Sequence, residues 1–307
     1  MSDLARLVVI LGPTASGKSA LGIRIAERLG GEILVCDSTQ VYRHFDIGTA
    51  KTPLSEQRGI PHHLVDLSEP DDVFTAGEYR RRAIEVLDGV RKRGKLPIIT
   101  AGTGLYLRAL LEGLADAPLR SEELRERLRS KARQHGPLHL HKLLARMDRE
   151  AARRIAPRDT QKIIRAIEIR TLAGKTVGDV HRKGRAAIEG YDVKKIGLLP
   201  PRAALYARID ERVNSMIRAG WIEEVRRLVA AGVSPNAKPF QFIGYSELLR
   251  HIEGRLDRQA AIAQIQQATR QFAKRQITWF RKEPHVHWLP GFGDGPETLA
   301  ASLKLLQ

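Results

Sequence analysis

Residues 12–19 read Gly12-Pro13-Thr14-Ala15-Ser16-Gly17-Lys18-Ser19, the spacing G-x-x-x-x-G-K-S. Its chemistry is the gripping of a di- or triphosphate. Glycines let main-chain N–H groups turn inward around the anion, Lys18 reaches the terminal phosphate, and the Ser19 hydroxyl can ligate Mg²⁺. ATP is one molecule that such a nucleotide-binding loop takes, but the motif specifies the phosphate and not the reaction. Two other positions could act on what the phosphate carries. Asp37 offers a carboxylate, a possible proton acceptor, in the polar run Asp37-Ser38-Thr39-Gln40. Thr103 offers a hydroxyl in Ala101-Gly102-Thr103-Gly104. Arg208 and Arg212 are four residues apart, so on a helix they share a face and could clamp a diphosphate.

Strands must deliver these residues. Leu7 to Leu11 is a short apolar run of the buried-strand kind, and a helix should follow the glycine loop to Leu29, stopped by Gly30-Gly31. Glu32 to Cys36 reads as a second strand ending at Asp37. Leu96 to Thr100 reads as a third, after a helix around 76–93, and Lys195 to Pro200 as another. This alternation implies an α/β fold: a P-loop NTPase-like parallel sheet with helices on both faces. Strand C-terminal ends in such sheets converge on one crevice, so Lys18, Asp37 and Thr103 should face a shared site. Between 116 and 190 the pattern turns helical. Ser121 can cap a helix opening on Glu122 and Glu123 and ended by Gly136-Pro137. Asp159 can cap another that runs to Gly174 with Ile163, Ile164 and Ile167 on its apolar face. We therefore expect a core of residues 1–115 and 196–307, with a mostly helical insertion at 116–195. One long helix is expected over 258–281.

The charge follows that division. The 307-residue chain carries a net +17. Residues 1–115 are nearly neutral at +1, whereas 116–195 carry +10 and 196–282 carry +8. A metabolite kinase has no need of this excess, and a polyanion such as nucleic acid would explain it. Cys36 is the one cysteine, which excludes a disulfide framework and a Cys-based zinc site and suits a reducing cytoplasm. No apolar run approaches the ~20 residues of a membrane span. The run Leu7 to Leu11 leads straight into the phosphate loop and is not expected to be a targeting signal. His62 and His63 have no metal-ligand partner at suitable spacing.

Six blocks then carry a resemblance. They are GPTASGKS at 12–19, DSTQVYRHFDIGTAK at 37–51, PHHLVD at 61–66, AGTGLYLRALLEGL at 101–114, IGYSEL at 243–248 and TRQFAKRQITWFR at 269–281. In this order they closely resemble the tRNA dimethylallyltransferase (tRNA isopentenyltransferase) family. Ala101 stands where the family usually has glycine. Without cysteines for a C-terminal zinc finger, the chain resembles the compact bacterial form.

The resemblance implies transfer of a dimethylallyl group from dimethylallyl diphosphate to N6 of adenosine 37, next to the anticodon, in tRNAs reading codons that begin with U. It makes Asp37 the general base and gives Thr103 a hydrogen bond to the departing diphosphate. Gly12 to Ser19, with Arg208 and Arg212, would hold that diphosphate beside Mg²⁺ on Ser19. The base would be flipped into the site against Asp37, Ser38, Thr39, Gln40 and Thr103. RNA contacts are implied for Arg125, for Gln161, Lys162, Ile163, Ile164 and Arg165, and for Gln241, Phe242, Ile243, Gly244, Tyr245 and Ser246. They are implied also for Lys274, Arg275, Gln276, Ile277, Thr278, Trp279, Phe280 and Arg281. The partners implied are the tRNA anticodon stem-loop and the prenyl diphosphate, with a monomeric, cytoplasmic protein and no membrane. Prenylation of free adenine nucleotides, a P-loop nucleotide kinase and a non-catalytic RNA-binding ATPase are the competing readings.

Overall fold

The computed structural model describes residues 4–115, 117–118, 120–182 and 186–307. The chain forms β1 (Ala5–Leu11), α1 (Lys18–Leu29), β2 (Gly31–Cys36), β3 (His62–His63), α2 (Ala76–Lys92), β4 (Leu96–Ala101) and α3 (Gly104–Glu112). A helical stretch follows: α4 (Glu122–His135), α5 (Pro137–Met147), α6 (Arg149–Arg154), α7 (Thr160–Ala173) and α8 (Val177–Arg182). The chain then returns through β5 (Tyr191–Leu198), α9 (Arg202–Arg218), α10 (Trp221–Ala230), α11 (Tyr245–Ile252), α12 (Arg258–Phe280), β6 (Val286–Leu289) and α13 (Pro296–Leu305).

The six strands pair in parallel in the order β3-β2-β4-β1-β5-β6. Side chains alternate across β1. Leu7, Val9 and Leu11 pack with Tyr79, Ala83, Leu87 and Val90 of α2, whereas Val8 and Ile10 pack with Leu21 and Ile25 of α1. Both faces are thus covered, which is why these strands read as unbroken apolar runs. Register does the rest: Leu11 pairs with Ala101, and Ala101 with Cys36. The loops beginning at Gly12, Gly102 and Asp37 therefore leave the sheet at one level, side by side.

Two compact units emerge, 1–111 with 188–307, and 112–187. The return to the sheet comes earlier than residue 196, because β5 starts at Tyr191 and pairs with Ala5 onward; Asp192, Lys194 and Lys195 obscured its apolar pattern. Asp116, the expected first residue of the insertion, lies outside the described residues. Within 112–187, Leu128, Leu140, Leu144, Ala151, Ala152, Ile163, Ile164 and Ile167 form one core. Among the described residues no helix is long and apolar enough to cross a membrane.

Candidate active site

The phosphate loop is built as the spacing requires. Gly17 has φ of 89° and heads α1, and a Cβ there would stand 2.7 Å from the Gly293 amide nitrogen. Glycine is therefore required on two counts, by its left-handed backbone and by the close approach of the 291–295 loop. That loop clamps the phosphate loop from behind, the Gly293 N–H donating to Ser16 O at 2.9 Å. The first amides of α1 have no helical carbonyl to bond and, with the helix dipole behind them, suit an anion. Ser16 Oγ is buried without a hydrogen-bond partner among the described residues, an orphan that a phosphate oxygen would satisfy. The Thr14 N–H, expected to turn to the anion, donates instead to Gln276 Oε1 at 2.7 Å.

Lys18 folds back across the loop, its Nζ donating to Pro13 O at 2.8 Å. Burial pulls its pKa down to about 8; Asp37 opposes that shift and Arg212 adds to it. Arg212 is half-buried, and its pKa is lowered by burial and then by Arg208, against the pull of Asp37 and Glu56. No ion pair to Lys18 or Arg212 is present among the described residues. Asp37 is thus the carboxylate that both cations feel, with Glu56 adding to it for Arg212. Arg208 is differently placed: it pairs with Asp294 at 2.8 Å and stacks over Phe292. Of the two arginines, Arg212 is the one left for an anion.

The oxygens of Asp37 are unequal. Oδ1 accepts from the Thr39 N–H at 2.9 Å and the Thr39 hydroxyl at 2.7 Å. Oδ2 lies against Gly102, where a Cβ would overlap it. Glycine at 102 is thus what admits the carboxylate, whereas Ala101 sits buried in β4. Thr103 Oγ1 accepts from the Ser38 N–H at 2.9 Å and donates to Ser38 Oγ at 3.1 Å, tying the ends of β2 and β4 together. Gln40 donates to Thr49 O at 3.1 Å, pinning the following loop.

That loop has an anchor the sequence reading missed. Glu224, buried on α10, accepts from the Asp46 and Ile47 N–H groups at 3.1 and 2.8 Å. It also accepts from the Tyr245 hydroxyl at 2.6 Å, and that hydroxyl accepts from the Gly48 N–H at 3.1 Å. The available signal was an acid inside the apolar stripe Trp221, Val225, Leu228 of α10.

The expected RNA contacts divide by burial. Lys274, Arg275, Thr278, Trp279 and Arg281 are exposed on or just beyond α12, as are Gln161, Lys162 and Gln241. Arg165, Phe242, Ile243, Ser246 and Ile277 are half-buried. Trp279 lies on Gly104 with the Arg108 guanidinium 5.0 Å from its ring centre. The others turn inward and serve packing. Ile163 and Ile164 belong to the helical core, Phe280 and Tyr245 are fully buried, and Gly244 lies under Trp221. Gln276 is buried between two loops. Arg125 makes paired hydrogen bonds of 2.9 and 2.8 Å to buried Glu168, so its guanidinium is spent inside the protein.

For Mg²⁺ the donor set fits the loop but nothing larger. Among the described residues no cluster of three or more His, Cys, Asp or Glu could hold a metal. The Ser19 side chain is on an exposed residue at the head of α1, and Mg²⁺ commonly takes one or two protein oxygens with phosphate and water supplying the rest.

The sequence model of the IPP transferase family matches residues 40–283. A tRNA dimethylallyltransferase of Koribacter versatilis is 48% identical over 307 residues, covering 100% of this chain and 99% of its own. One of Solibacter usitatus is 49% identical, covering 95% and 94%. A full-length tRNA isopentenylpyrophosphate transferase from Bacillus halodurans has a similar structure, with a TM-score of 0.72 at 34% identity, covering 98% of this chain and 95% of that one. A eukaryotic dimethylallyltransferase studied acting on tRNA gives a TM-score of 0.81 at 25% identity, covering 98% of this chain and 78% of that one.

Proposed function

The chain belongs to the IPP transferase family, and on that premise we propose that it transfers a dimethylallyl group from dimethylallyl diphosphate to N6 of adenosine 37, beside the anticodon, in tRNAs reading codons that begin with U. It is a prenyl-transferring enzyme acting on tRNA. The observation that carries the assignment of roles is that Lys18 and Arg212, which form no ion pair among the described residues, both feel the charge of Asp37, whose Oδ1 is held by Thr39.

The exocyclic amine of adenine is a weak nucleophile, its lone pair delocalised into the ring. As the allylic C–O bond breaks, the carbon it leaves becomes cationic and the diphosphate gains charge. The α1 amides, Lys18, Arg212 and the Ser16 hydroxyl meet that charge where it develops. N6 bonds to the allylic carbon and its proton passes to Asp37 Oδ2, Oδ1 being held by Thr39. The Thr103 hydroxyl can turn from Ser38 to the departing diphosphate. Mg²⁺ held by Ser19 would neutralise part of the diphosphate charge.

The adenine reaches this site only by leaving its stack, a few kcal/mol that is least in a loop. Ser38, Thr39 and Gln40 then wall the base. Exposed Lys162, Lys274, Arg275 and Arg281 hold RNA phosphates, and Trp279 offers a ring for stacking. We place the protein in the cytoplasm, acting as a monomer.

The test is mass analysis of tRNA incubated with dimethylallyl diphosphate and Mg²⁺, with AMP as a parallel acceptor. A gain of one dimethylallyl group on tRNA, with AMP a poor acceptor, is expected. Prenylated AMP with unmodified tRNA would contradict the proposal, as would phosphorylation of a nucleotide when ATP is supplied.

A further inference from the structure

α12 carries two kinds of polar residue. Lys274, Arg275, Thr278 and Trp279 are exposed, whereas Gln276 shares a buried stripe with Ala273 and Phe280 at i−3 and i+4. A primary amide in such a stripe is unfavourable unless its polar ends are paired. Here they are. Gln276 Oε1 accepts from the Thr14 N–H at 2.7 Å, and Nε2 donates to Gly102 O at 2.8 Å. The partners fix the amide's orientation, since one is a donor and the other an acceptor.

The two partners are the functional halves of the site. Thr14 belongs to the loop that would hold the diphosphate. Gly102 is the residue against which Asp37 Oδ2 rests, and its N–H donates to Cys36 O at 3.0 Å, immediately before Asp37. The register β1-β4-β2 sets the loops at one level and Thr103 ties the β2 and β4 ends to each other; the amide ties the phosphate loop after β1 directly to the loop after β4. Ala273 and Ile277 on either side pack against Ala15, Leu205 and Ile209, seating α12 on the phosphate loop.

We propose that Gln276 is a positioning residue for prenyl transfer: it fixes the distance between the diphosphate loop and the carboxylate that takes the amine's proton, and does not touch RNA. This rests on the function proposed above. Misplacement of reacting groups by about 1 Å costs on the order of 100-fold in rate, which sets the scale expected.

Gln276→Met removes both hydrogen bonds at similar length, and Gln276→Glu keeps an acceptor for Thr14 while losing the donor to Gly102. With active protein counted by tRNA-binding stoichiometry, Gln276→Met should lose about 10- to 100-fold in kcat, with tRNA affinity unchanged and Gln276→Glu falling between it and wild type. A merely structural role would lower tRNA-binding capacity and turnover together, leaving kcat per active molecule intact, and would overturn the proposal. Weakened tRNA affinity with kcat preserved would overturn it in favour of an RNA contact. Amide hydrogen exchange at Thr14 reads the same tie without the reaction: protection in wild type should be lost in Gln276→Met, and equal protection in both would overturn the proposal. Were wild type itself unable to prenylate tRNA, the function would fall while the exchange result still decided the tie.

Discussion

The cations drawn from water in the two compact units are treated in opposite ways. In the helical unit, burial pushes Glu168 up, but hydrogen bonds from Arg125, Arg165 and the Ser121 N–H overcome it and hold the carboxyl at about 2. The carboxylate there is saturated, and Arg125 spends itself on it. At the strand ends of the α/β unit, Lys18 and Arg212 are drawn from water with only Asp37 and Glu56 felt opposite them, and Lys18 falls to about 8. A neutralised charge inside a protein is architecture. A charge left uncompensated where amides also converge is a place for an anion.

The largest effect should come from Asp37, the carboxylate that both of these cations feel. Asp37→Asn keeps an oxygen for Thr39 and removes the proton acceptor, so the transfer rate in single-turnover kinetics should fall about 10²- to 10⁴-fold while tRNA still binds. An unchanged rate would place the base elsewhere.

The closed side should respond in stability instead. Glu168→Ala strands buried Arg125, and chemical denaturation should show a loss of about 3–5 kcal/mol. Because the folded-state carboxyl sits near 2, its contribution is present above the unfolded value of 4.5 and is lost as pH falls through that window toward 2. Stability that is flat between those values would mean the network contributes nothing.

A smaller effect is expected from pH at the open site. A diphosphate needs Lys18 protonated, so KM for the prenyl donor should be level below about pH 8 and rise by up to about tenfold per unit above it. Lys18→Ala should remove that rise. The same depressed pKa makes the unfolded chain bind more protons between about 8 and 10.5, so folding stability attributable to Lys18 rises with pH there.

Much of this was readable from residue types alone. The glycine loop, β1, β2 and β4, and the convergence of Lys18, Asp37 and Thr103 follow from apolar runs ended by polar turns. The long helix ends at Phe280, one residue short of the expected limit. β3 and β6 were not readable: two histidines and the sequence Val286–Leu289 carry no apolar run, and their pairing is settled by distant strands. The inward use of Tyr245, Gln276 and Arg125 was missed for a different reason. Such residues suit RNA contact and internal bonding equally, and only helical phase separates the two. Arg125 precedes buried Leu128 by three residues as Gln276 follows Ala273. Glu224 was hidden in the same manner among Trp221, Val225 and Leu228.

The most direct measurement is a structure of the protein soaked with a non-hydrolysable dimethylallyl diphosphate analogue. The account predicts the diphosphate on the amides heading α1, Lys18 Nζ released from Pro13 O to a phosphate oxygen, and Asp37 Oδ2 facing the allylic carbon's open side. Donor bound away from residues 12–19, or Asp37 rotated from the prenyl group, would contradict it.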